Sequence, residues 1–182
     1  MSQSWVVVPT CLPLVRRHCH VCGGERFRPT GKFRVNANQK RLDGWLLVRC
    51  TRCADTAKLT ILERVTVRSI RPDLLDRLHH NDVGLAAELL RNPVVRRRNR
   101  VALDWDGAWR LDTGDSGHRG HATVDVSVRF AAPIPVRPAR LIADGFGLSR
   151  AEVGRLITAG KLVSAVRLGG KLSGDFTFRL ER

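Results

Sequence analysis

The sequence predicts an α+β protein in three parts, and three observations carry that expectation. Two Cys-x-x-Cys pairs bracket a stretch of alternating apolar residues, leucines and alanines recur at helical spacing between Pro72 and Asn92, and strict alternation returns over residues 124–130 and 176–180. The parts read as residues 1–67, an antiparallel β-structure carrying the cysteines; 68–132, a helix pair plus antiparallel strands; and 133–182, an ααββ module. With 43% apolar and 27% charged residues, the chain has the composition of a folded domain and not of a disordered one. No apolar run approaches the ~20 residues of a membrane span. No basic region precedes the short valine run after Trp5, so no secretory leader is expected.

The cysteines define the first part. Cys19-His20-Val21-Cys22 and Cys50-Thr51-Arg52-Cys53 are separated by 27 residues, a spacing that fits a tetrahedral four-thiolate zinc site of the ribbon type. Each short pair turns back to present two sulfurs to one ion, and Gly23-Gly24 suits the turn after the first pair. Between the pairs, Phe33 and Val35 alternate with polar residues, 36–40 reads as a turn, and Trp45 to Val48 reads as a strand. A redox dithiol would be expected once, near a βαβ pattern, which is absent. Four thiolates leave no open coordination position, so the expected Zn²⁺ is structural. Cys11 reads as a small buried hydrophobe. Free thiols point to a reducing compartment, hence a cytoplasmic location.

In the second part, residues 59–67 add a strand. Pro72 opens a helix bearing Leu74, Leu75 and Leu78. Asp82 caps a second helix with Val83, Ala86, Ala87 and Leu90 on one face, ending at Asn92-Pro93. Arg96-Arg97-Arg98-Asn99-Arg100 is the densest basic run, read either as a phosphate grip or as a solvated charged face. Asp106-Gly107 between two apolar stretches, 101–105 and 108–112, signals a hairpin, and with the alternating strand over 124–130 it predicts one antiparallel sheet. The loop residues Asp112, Asp115, His118 and His121 recur every three positions. They could bind a metal, but their glycine-rich setting reads as a surface turn.

In the third part, residues 132–138 hold three prolines and read as a stiff connector. Ser149 with Glu152 forms a capping box, Val153, Leu156 and Ile157 form a buried face, Arg155 faces solvent and Gly160 ends the helix. Two alternating strands follow around Gly169-Gly170.

Net charge and motif inventory bound the function. Lys and Arg number 32 against 17 Asp and Glu, a net +15 spread over all three parts. A chain this basic attracts polyanions, although 27 Arg against 5 Lys also fits a GC-rich coding bias. No phosphate-binding glycine loop, nucleophile elbow or HExxH motif is present, so no enzyme activity is expected.

Arg137, Ser149-Arg150, Gly160-Lys161-Leu162 and Gly174-Asp175 together resemble the small RNA-binding module named after ribosomal small-subunit protein S-four. The family's Val-Asn-Gly turn is missing, with Ser164-Ala165-Val166 nearby. The resemblance implies that Arg137, Arg150 and Lys161, with Lys171 as a further candidate, contact RNA; the alternative is a generic ααββ packing unit. A second resemblance rests on Phe33 to Asn38, Asp43-Gly44-Trp45-Leu46, the paired cysteines and Leu59 to Arg64. These are similar to the uncharacterised bacterial domain-of-unknown-function family 1062, which implies no activity; Gly44 stands where a larger residue is expected. The expected protein is therefore a zinc-ribbon protein that binds RNA, structured or ribosomal. The alternative is a zinc-ribbon adaptor for a protein partner, with Trp5, Trp45, Trp105 and Trp109 as anchors. No membrane partner is expected.

Overall fold

Two five-stranded sheets organise the chain in a computed structural model that describes residues 2–114 and 122–181. Ten strands and five α-helices make the described residues a mixed α+β protein. They divide into two compact units, one of Met1–Cys11 with Gly107–Arg182 and the other of Leu12–Asp106.

The Leu12–Asp106 unit is built on the sheet β5-β4-β3-β2-β6, with β2 Leu14–Arg16, β3 Arg26–Asn38, β4 Arg41–Cys50, β5 Thr56–Thr66 and β6 Ala102–Asp104, all antiparallel. Alternation dictates which face is buried: Leu42, Leu46 and Val48 of β4 are sequestered while Arg41 and Arg49 are exposed. The turn between β3 and β4 is confined to Gln39-Lys40, shorter than the expected 36–40, because Asn36 to Asn38 stay paired with Arg41 to Asp43. Gly44 lies where the β4–β5 register shifts, and a Cβ there would stand 3.4 Å from Leu62; the bulge and that close approach explain the small residue. Helices α1 Pro72–His79, α2 Val83–Arg91 and α3 Pro93–Asn99 follow β5. Asp82 caps α2 through the Leu85 N–H, as the sequence implies. The buried face of α2 is Leu85, Ala86 and Leu90, whereas Val83 is 61% exposed: as the first residue of the helix, it lies at the edge of the packed stripe. Ala86, Leu90 and Val95 join Val15, Phe27, Leu46, Val48, Leu59 and Ile61 in one core that also contains Cys19 and Cys50.

The other unit has the sheet β7-β1-β8-β10-β9, with β1 Ser2–Pro9, β7 Trp109–Asp112, β8 Thr123–Phe130, β9 Leu162–Ser164 and β10 Phe176–Glu181. Helices α4 Pro138–Phe146 and α5 Arg150–Thr158 complete it. Trp5 and Val7 of β1 are fully buried, and the Trp5 ring lies 4.9 Å from Phe146 and 5.5 Å from Phe178, centre to centre. Gly145 makes that packing possible, since a Cβ would fall 2.3 Å from the indole.

This arrangement revises the three-part division. The stretch read as the start of the cysteine-bearing part contains β1, a strand of the other unit's sheet that pairs in parallel with β8 more than a hundred residues away. The Asp106-Gly107 signal is not a hairpin. Strand β6 before it pairs with β2, and β7 after it pairs with β1, so this turn is where the chain passes from one unit to the other. The predicted single sheet is therefore split. Residues 132–138 are no boundary either: both flanks belong to one unit, and Val136 bridges Leu172. The C-terminal order is α4, α5, β9, β10, with β9 and β10 antiparallel, but β10 also pairs with β8 and so belongs to a larger sheet. No helix among the described residues is long and apolar enough to cross a membrane.

Candidate metal centre

The four paired cysteines converge. Cys19 and Cys22 stand on the turn before β3, Cys50 ends β4 and Cys53 lies on the turn after it, so the β3–β4 ladder brings the two cysteine pairs side by side with Phe27 opposite Cys50. All four Sγ atoms lie within 4.8 Å of one another. Cys19 and Cys53 are 3.7 Å apart and Cys22 and Cys50 3.6 Å. Tetrahedral bonds of ~2.3 Å to a single ion require sulfur separations of ~3.8 Å, so the donor set fits one metal ion. The same closeness leaves no room for a multi-iron cluster.

The two turns repeat one local design. The Gly23 N–H donates to the Cys19 carbonyl at 2.9 Å and the Ala54 N–H to the Cys50 carbonyl at 3.0 Å. The Cys19 N–H donates to Gly24 at 2.7 Å and the Cys50 N–H to Asp55 at 2.8 Å. Both turns need a left-handed residue directly after the second cysteine: Gly23 has φ 69° and Ala54 φ 60°. Gly23 advertises that need in the sequence and Ala54 does not. Gly24 forms part of the cradle, because a Cβ there would stand 3.3 Å from Cys22 Sγ and 3.4 Å from Cys50 Sγ.

The electrostatics match a cation-seeking site. Backbone N–H groups of Cys53 and Arg52 pull the Cys50 thiol down to about 6. At Cys53 the Asp55 N–H also favours the thiolate, but burial and thiols shared with Cys22, Cys50 and Cys19 outweigh it and push the group up to about 12. Without a metal, one sulfur thus ionises readily and a neighbour holds its proton; a bound dication favours all four as thiolates. Cys19 and Cys50 are buried while Cys53 reaches the surface. Cys11, expected to be buried, is exposed, because it lies where the chain leaves one unit for the other.

The remaining candidate residues fall elsewhere. Arg137 caps α4, Arg150 is the first residue of α5, and Lys161 follows its end; all three and Lys171 are exposed. The capping box is present: Ser149 Oγ accepts from the Glu152 N–H at 3.2 Å, and Glu152 accepts from the Ser149 N–H at 2.8 Å. Ile157, expected to be buried, is 38% exposed, whereas Val153 is fully buried. Trp5 and Trp105 are buried, which removes them as surface anchors, and Trp45 and Trp109 are half-buried. Of the loop quartet, Asp112 bonds Arg110 and the Gly114 N–H; Asp115, His118 and His121 lie outside the described residues. Arg96, Arg97 and Arg98 occupy the last turn of α3.

The fold and site define a mixed α+β protein with a four-cysteine cluster placed to hold a metal ion. Residues 35–168 match the family described as "Protein of unknown function (DUF1062)", and the chain belongs to that family. No curated protein matches the chain, and no solved structure does.

Proposed function

We propose that the protein is a zinc-stabilised RNA-binding protein of the cytoplasm, with no catalytic step of its own. The observation that carries the reading is the closed four-sulfur set, with separations of 3.6 and 3.7 Å. Cys19, Cys22, Cys50 and Cys53 would hold Zn²⁺ as in a zinc ribbon, supplying rigidity where two turns meet. With every coordination position taken by sulfur, there is no place for an activated water.

The RNA-binding half of the reading rests on charge placement. Arg137 and Arg150 stand at the N-terminal ends of α4 and α5, where the helix dipole disfavours cations. A phosphate bound there would offset that cost, drawn by the same dipole and by the guanidinium groups. Lys161 and Lys171 would add contacts to the backbone. Glu152 is held by the Ser149 N–H in the capping box. Binding would be largely electrostatic and steeply salt-dependent. The adaptor alternative loses Trp5 and Trp105, which are buried, and keeps only the half-buried Trp45 and Trp109 as anchors.

The test is a titration of the zinc-loaded protein against structured RNA, single-stranded RNA and duplex DNA at low and physiological salt. Structured RNA should bind most tightly and persist at physiological salt. Arg150→Glu should weaken that binding by roughly tenfold or more with the melting temperature held or raised, since the helix dipole favours an acid at that position. Unaltered affinity in the variant refutes the assignment, and weak binding to all three that vanishes with salt refutes RNA binding itself.

A further inference from the structure

The geometry points to a second anion site, a phosphate-binding cleft in the Leu12–Asp106 unit, lined by Arg16, Arg96, Arg97 and Arg100. Its volume is about 460 Å³, and the rest of the lining is Pro93, Val101 and Ala102. Three of the arginines come from α3 and its C-cap, while Arg16 comes from β2. Residues 80 positions apart in sequence are thus gathered by tertiary structure, which distinguishes the cleft from a solvated charged run.

Three features indicate a site made for a bound anion. No carboxylate lines the cleft, and none of the four guanidinium groups makes an ion pair among the described residues. The Arg96 Nε is shielded from solvent with no hydrogen-bond partner among the described residues, an unpaired donor on a residue that lines the cleft. Arg100 has φ 52° and ψ 47° at the C-cap of α3, a left-handed position that glycine fills most easily. Keeping arginine there costs about 1 kcal/mol of backbone strain and places its charge at the cleft.

The ligand chemistry is phosphate, because planar guanidinium groups grip its oxygens in pairs. Four of them line one open cleft, where they would neutralise phosphate charge, whether from a free polyphosphate or from an RNA backbone. Apolar lining is limited to one proline, one valine and one alanine, so the cleft offers no aromatic platform for a base. The inference stands apart from the RNA-binding role proposed above for Arg137, Arg150 and Lys161.

The test uses the full zinc-loaded chain and its Arg16→Gln/Arg100→Gly variant, titrated with inorganic pyrophosphate and with a single-stranded RNA oligomer. Glycine at position 100 suits the backbone, so the melting temperature should hold or rise. The variant should weaken at least one ligand by roughly tenfold or more. For RNA, the slope of log affinity against log salt should fall by roughly 1.4, at ~0.7 for each phosphate that is no longer neutralised. Weakened pyrophosphate binding identifies a free-polyphosphate site; weakened RNA binding alone identifies a grip on the RNA backbone. If the variant weakens neither, or the wild-type chain binds neither, the cleft is not a phosphate site. Arg150→Glu read in parallel keeps the two surfaces separate: weaker binding there with unchanged binding in the cleft variant overturns only the cleft.

Discussion

Replacing Gly24 with alanine adds one methyl group to the wall of the cysteine cluster while leaving every ligand in place. The new Cβ would stand 3.3 Å from Cys22 Sγ, 3.4 Å from Cys50 Sγ and 3.4 Å from Arg52 Cβ. These are tighter than comfortable contacts, so the two sulfurs must retreat by a few tenths of an ångström. They are 3.6 Å apart, already near the ~3.8 Å tetrahedral edge, and cannot both move without distorting the donor set. Overpacking of this kind costs about 1–3 kcal/mol, equivalent to a roughly 5- to 150-fold loss of zinc affinity. The second turn provides the opposite perturbation. Ala54→Gly relieves a left-handed alanine at φ 60° and should stabilise the zinc-loaded protein by about 0.5–1 kcal/mol after glycine's own chain entropy. Competition with a chelating indicator under reducing conditions reads the first effect, and urea unfolding reads the second. Wild-type zinc affinity in Gly24→Ala, or lower stability in Ala54→Gly, would refute the reading of the two turns as matched halves of one site.

Other predictions concern the rest of the chain. Gly145→Ala places a Cβ 2.3 Å from the Trp5 ring and should destabilise its unit by about 3 kcal/mol or more; a melting-temperature change under a few degrees would show that Trp5 can repack. Chelation of the proposed zinc should remove amide-exchange protection within residues 12–106 while leaving β1, β8 and β10 protected, and uniform loss would contradict the two-unit division. Asp82 is held below the ordinary carboxylate range by the Leu85 N–H and then by Arg77, and Glu88 by the Arg77 guanidinium. Their stabilising effect should therefore be complete above the unfolded carboxylate values and be lost as pH falls through the folded ones. Carboxyl NMR titration should place both midpoints below ~3.9 and ~4.3, the respective free-peptide values, and Arg77→Met should raise both.

Local chemistry was legible wherever a residue type has one dominant physical use. Two Cys-x-x-Cys pairs, Asp82 and Ser149 as caps, Pro72 at a first turn and the Phe176-Phe178-Leu180 alternation each lead to the structure that contains them. These signals depend on neighbours within a few positions, where geometry is set by φ, ψ and side-chain reach. Ala54 escaped notice because its left-handed conformation is imposed by the cysteine turn and not by its own preference.

What only the tertiary structure decided is non-local. Asp106-Gly107 has the form of a hairpin turn, yet hydrogen bonding from β2 and β1 takes the strands on its two sides into different sheets. The valine run after Trp5 carries no mark of its partner, and its parallel pairing with β8 depends on burying Trp5 among Phe146, Phe178 and Gly145. Arg16 likewise has no sequence relation to Arg96, Arg97 and Arg100; β2 and α3 bring them to one cleft. Residue chemistry determined the candidate ligands and the local turns. Long-range strand pairing determined the company those residues keep, because a strand's edge is open to any partner of matching pattern and the core that is buried selects among them.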